Sequence, residues 1–152
     1  MPEGSPRRKN GPKLPLTVRL SADGLAKFMG DLEAKVMRAI WDLGSPASAR
    51  AVHEAVSRDH DVALLTVITV LNKLVAKRML RRAKRSGVLH YEARITEADF
   101  RMLATRQVVE GILSFGPEAM TTSFVDVLAE TDRDRLAELA RLVRRRMREQ
   151  SE

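Results

Sequence analysis

No cysteine occurs anywhere in the 152 residues, which removes disulfides, thiolate metal sites and thiol redox switching together. Aromatic residues are nearly as scarce, at 4% with one tryptophan and one tyrosine. A core must then be built mainly from Leu, Val, Ala, Ile and Met, which favours helices over an all-β fold. The same scarcity argues against recognition of single-stranded nucleic acid, because that mode relies on rings on which bases stack. No apolar run approaches the roughly 18 residues of a membrane span. The N-terminal MPEGSPRRKNGPK is not followed by the apolar segment of a secretory signal. The expectation is a cytoplasmic chain without membrane association.

Catalytic signatures are also missing. His53-Glu54 opens like a zincin helix, but the second histidine would fall at position 57, which is Ser57. His53, His60 and His90 show no ligand spacing. No Gly-rich phosphate loop precedes a helix, and no Gly-x-Ser-x-Gly elbow is present. Glu110, Glu118, Asp126 and Glu130 read as solvated faces of charged helices. Neither an enzyme, a metal site nor a cofactor is expected.

What the chain does have is positive charge. A formal net charge of +7 and a pI near 10.4 point to an anionic partner, most simply nucleic acid. Its length suits one ordinary domain, or a small domain carrying an oligomerisation arm.

Patterning divides the chain into three. Residues 1–29 have the composition of a basic flexible extension, with a weak alternating pattern from Leu14 to Leu20 that Pro15 interrupts. A helix is expected over Asp31–Leu43, with Leu32, Val36, Ala39, Ile40 and Leu43 on one face and Gly44 as its stop. Ser48 is placed to cap a second helix to about Ser57, with Val52 and Val56 inward. A third runs to about Arg78, with Val67, Val70, Leu71 and Leu74 at the spacing of one buried face. A basic hairpin follows, turning at Ser86-Gly87. Three helices and then a hairpin is the order of a winged helix-turn-helix, here residues 30–94.

Beyond it, residues 95–152 read as a helical arm. Thr96 caps a helix to about Ser114, Gly116-Pro117 ends it, a short helix covers Ser123 to Ala129, and Thr131-Asp132 opens the last. Leu136, Leu139, Val143 and Met147 form an apolar stripe there, joined by Phe124 and Leu128. A stripe of this kind needs a cover, and a second copy of the chain is the expected one. The fold class is therefore mainly α with a small β wing, a DNA-binding winged helix plus a dimerisation arm.

The face of the third helix opposite its stripe carries Leu65, Thr66, Ile68, Thr69, Asn72, Lys73 and Lys77. A major groove about 12 Å wide admits such a helix. The threonines and Asn72 suit base edges, with Asn72 on adenine and Leu65 and Ile68 near thymine methyls. Lys73, Lys77 and the hairpin's Arg81, Arg82, Lys84 and Arg85 suit phosphates.

These residues carry a resemblance. Gly30-Asp31-Leu32-Glu33 through Trp41, then Val52-His53-Glu54-Ala55, then Thr66 through Leu74, resemble the BlaI/MecI/CopY family of bacterial winged-helix repressors. The resemblance extends from about Gly30 to the C-terminus. It implies a homodimer on palindromic operator DNA, and a sensor protease of the BlaR/MecR kind as a further partner. Two features depart from the family pattern. The cysteine cluster of copper-sensing members is missing, which excludes that mechanism. The Asn-Phe bond cut in BlaI and MecI corresponds to Ser123-Phe124, which keeps the phenylalanine alone. A protein-interaction winged helix and a non-specific nucleic-acid binder are the competing readings.

Overall fold

The computed structural model describes residues 29–44 and 46–152, so the extension and its alternating segment lie outside the described residues. The chain opens with α1 (Asp31–Leu43), which buries Val36, Met37, Ala39 and Ile40 together with Glu33 and Ala34. Gly44 ends it at φ 72°, a left-handed conformation that glycine adopts without penalty. Leu43 departs from expectation. It lies in the last turn, past the edge of the core, and is 45% exposed. Trp41 is better anchored, its Nε1 donating to the Ile95 carbonyl at 2.9 Å while its ring tilts against Phe100.

A two-residue strand, β1 (Ala47–Ser48), leads into α2 (Ala49–Ser57). The Ser48 hydroxyl accepts the Ala51 N–H at 3.2 Å, and Val52 and Val56 face inward. His53 Nε2 donates to the Val62 carbonyl at 2.8 Å, holding the turn that joins α2 to the next helix. That helix, α3 (Leu64–Ala76), buries Val67, Val70, Leu71 and Leu74 as its periodicity requires. It stops before Arg78 for a defined reason. Arg78 takes φ 60°, its N–H donates to Val75 and the Met79 N–H to Leu74, closing a Schellman motif with Met79 and Leu74 both buried.

The hairpin comprises β2 (Leu80–Arg85) and β3 (Val88–Ala93), turning through Ser86 at φ 50° and Gly87 at φ 78°. Two successive positive φ values match the twist of the flanking strands. Register pairs Arg81 with Glu92, Arg82 with Tyr91 and Lys84 with Leu89. β1 adds to the other side of β3, Ala47 opposite Tyr91 and Ser48 opposite His90, for a sheet order β1-β3-β2. Strand β1 has no sequence signature, because two residues are too few to show alternation.

Thr96 Oγ1 accepts the Asp99 N–H at 3.1 Å and opens α4 (Glu97–Phe115). Phe100 and Ala104 are fully buried, so the first compact unit runs past the expected boundary at Arg94 and ends at Thr105. The second unit, Arg106–Glu152, holds α5 (Pro117–Thr131) and α6 (Arg133–Gln150). α5 is twice the expected length. Proline at its first helical position starts the helix, since a missing N–H costs nothing there, whereas Gly116-Pro117 reads in the sequence only as a break. Asp132 caps α6 by accepting the Arg135 N–H at 3.0 Å.

The cap at Ser48 gives a direct test of this local logic. Ser48→Ala is expected to lower stability by about 1 kcal/mol in urea unfolding, with the fold unchanged by circular dichroism. An unaltered midpoint would show that the bond to Ala51 contributes nothing.

Candidate nucleic-acid interface

Burial of the α3 stripe fixes how the helix is rotated, and its remaining surface divides into three strips. At the tip, Leu65 is 74% exposed with Thr66 and Thr69 exposed nearby. One flank, Ile68 and Asn72, faces the hairpin; the other, Lys73 and Lys77, faces α1. All seven expected α3 residues thus lie outside its buried stripe, but their chemistry differs from strip to strip.

Thr69 Oγ1 donates to the Leu65 carbonyl at 3.0 Å. Its proton is used within the helix, so outward it offers lone pairs and a methyl group. The Asn72 amide oxygen receives the Tyr91 hydroxyl and Arg82 Nη1, each at 3.3 Å. A guanidinium can only donate, which turns the oxygen toward the wing and leaves the amide NH2 outward. Asn72 therefore does not present both halves of its amide to one adenine; it joins α3 to the hairpin.

The cations also separate. Glu33 on α1, its side chain only 9% exposed, accepts Lys77 Nζ at 2.8 Å and lies 3.7 Å from Lys73 Nζ. Glu92 accepts Arg81 at 2.6 Å, and through that hydrogen bond and its charge raises the Arg81 pKa above its ordinary value. Arg82 serves Asn72. Lys84 and Arg85, beside the turn, are exposed and have no acidic partner among the described residues.

Glu33 and Glu92 were missed by sequence reasoning. Glu92 had a usable signal, because a two-residue turn at Ser86-Gly87 sets it opposite Arg81. Glu33 had none, since its partner is 44 positions away and a first-turn acid ordinarily reads as helix-dipole compensation.

In the second unit no residue of α5 or α6 is buried. Leu128, Leu136 and Leu139 are half-buried where α5 and α6 pack together, whereas Phe124, Val143 and Met147 are 47%, 48% and 64% exposed. Ser123-Phe124 lies in the middle of α5, in helical backbone that a protease would have to unwind before cutting.

Three helices, a twisted hairpin and an outward-facing third helix define a winged helix-turn-helix protein. Among the described residues, no helix is long and apolar enough to cross a membrane. Residues 29–145 match the model of the penicillinase repressor family, and the chain belongs to that family, which is one of repressors and not of enzymes. It is similar to the transcriptional regulator BlaI of Mycobacterium tuberculosis, in strains CDC 1551 / Oshkosh and ATCC 25618 / H37Rv alike. Each is 44% identical over 52 residues, 34% of this chain. The chain spans about two-fifths of the length of these relatives, 38% of each.

The Asn72 bridge is testable by stability alone. Tyr91→Phe should cost about 1 kcal/mol. Asn72→Ala should then cost less in the Tyr91→Phe background than in wild type, as expected of residues sharing one bond. Additive losses in urea unfolding would show that the two are uncoupled.

Proposed function

We propose that the chain is a dimeric transcriptional repressor that reads a palindromic operator with α3 and holds the flanking backbone with its wing. The observation that carries this reading is the outward face of α3, set beside two exposed wing cations, Lys84 and Arg85, that have no acidic partner among the described residues. Leu65, Thr66 and Thr69 enter the major groove as the reading tip, and Lys84 and Arg85 meet phosphates. Lys73 and Lys77 contribute from a position shared with Glu33, so their pull on phosphate is weaker than their charge suggests. Arg81 is engaged by Glu92 and Arg82 by Asn72, and both act mainly by shaping the wing.

Dimerisation rests on the second unit. A unit whose helices α5 and α6 bury no residue, and which exposes Phe115 at the end of α4 at 95% along with Val143 and Met147 of α6, needs a further apolar surface, and a second copy supplies it. The same cover would bring Phe124 into the interface, while Leu136 and Leu139 already serve the packing within one copy. The likeness to BlaI and MecI supports a BlaR/MecR-like sensor protease as the agent of release.

Two experiments test these parts. Thr69→Ala is expected to weaken binding to a duplex selected from random sequence by about 1–3 kcal/mol, with little change on unselected duplex. Lys84→Ala and Arg85→Ala should weaken both duplexes alike. Equal losses for Thr69→Ala on the two duplexes would remove it from the reading role and favour a non-specific binder. Val143→Asp with Met147→Asp should yield a monomer by sedimentation with a winged domain still folded by circular dichroism. A folded variant that stays dimeric would overturn the role given to this stripe.

A further inference from the structure

Between the start of α2, the side of α3 and the wing lies an open cleft of about 720 Å³, lined by Ala49, Arg50, Leu64, Ile68, Lys84 and Val88 among others. Its lining is mostly apolar, with one cation, Arg50, contributed by the helical side and one, Lys84, by the wing. Arg50 is exposed and makes no ion pair among the described residues, not even with Glu54 one helical turn on. No carboxylate is among the residues that line the cleft.

We infer that one sugar-phosphate strand of bound DNA passes through this cleft, with Arg50 as a phosphate ligand across from Lys84. The chemistry of such a strand matches the lining: anionic phosphates alternate with largely apolar deoxyriboses, and the cleft brings two cations that make no ion pair among the described residues together with Leu64, Ile68 and Val88. The cleft is also continuous with the reading helix, because Ile68 forms its wall while Leu65 and Thr69 lie around the same helix toward solvent. The sequence hides Arg50, which stands alone in α2 and outside the basic hairpin. What brings it to the wing is the short pairing of β1 with β3, which seats Ser48 opposite His90 and so sets the first turn of α2 beside the hairpin.

The inference rests on the DNA-binding reading, and its test separates the two. Binding of the full chain to a random-sequence duplex is measured against salt concentration for wild type, Arg50→Ala and Arg50→Lys. Arg50→Ala should make the slope of log affinity against log salt shallower by about 0.9, the value for one phosphate contact, and Arg50→Lys should restore it. On a duplex selected by the wild type, replacing phosphates one at a time by neutral methylphosphonate should expose one position per half-site where wild type loses affinity and Arg50→Ala loses none. An unchanged slope in Arg50→Ala, with the fold intact by circular dichroism, overturns the assignment while leaving DNA binding by α3 standing. A shift of Arg50→Ala from dimer to monomer also overturns it, and makes the cleft a contact between copies. Absence of any salt-dependent binding by wild type overturns the repressor reading itself.

Discussion

Val67, Val70, Leu71 and Leu74 are buried in the core that α3 shares with α1, α2 and the sheet, and the rotation they impose on α3 decides what the rest of the molecule can present. Full burial of one such side chain contributes about 1.5–3 kcal/mol. An exposed ion pair contributes about 0–1 kcal/mol. Turning α3 by a single residue would bring apolar atoms into water for which no surface charge compensates. Packing therefore fixes the geometry of the outward face of α3, and charge acts on a face already set.

The wing is held to that face by a different kind of bond. Tyr91 is 2% exposed, yet its hydroxyl reaches the surface amide of Asn72, so a core residue fixes where the hairpin sits beside α3. The basic residues then fall into two groups by their neighbours. Lys77 and Arg81 are absorbed by Glu33 and Glu92, whereas Lys84 and Arg85 remain open to solvent beside the turn. Net charge of the hairpin overstates the number of cations free for phosphate, which is why a count of Lys and Arg is a poor guide to the interface.

Most of the first unit could be read from the sequence because its signals are local. The α3 stripe, the Ser48 cap, the Gly44 stop and the Ser86-Gly87 turn each follow from residues a few positions apart. What escaped has a long-range cause. Strand β1 exists only through its pairing with β3, Glu33 through a lysine on another helix, and the end of the first unit through Phe100 and Ala104 joining a core assembled upstream. Leu43 failed in the opposite sense, since a correct periodicity ran one turn beyond the core it served. In the candidate interface, which α3 residues lie outside the buried stripe was legible from the helix period, but the hydrogen bonds and ion pairs of Asn72, Lys77 and Arg81 depend on partners that no local pattern reveals.

The second unit is the complement of the first, with regular helices and no interior of its own. The unburied faces of α5 and α6 carry the proposal that the protein works as a pair. That makes symmetry the central claim, and selection of duplex DNA from a random-sequence pool by the full chain tests it most directly. The account requires enrichment of an inverted repeat whose half-sites are centred on one face of the duplex, about one helical turn of 10–10.5 base pairs apart or a multiple of it. Enrichment of a single unrepeated site, or of no sequence at all, would contradict it.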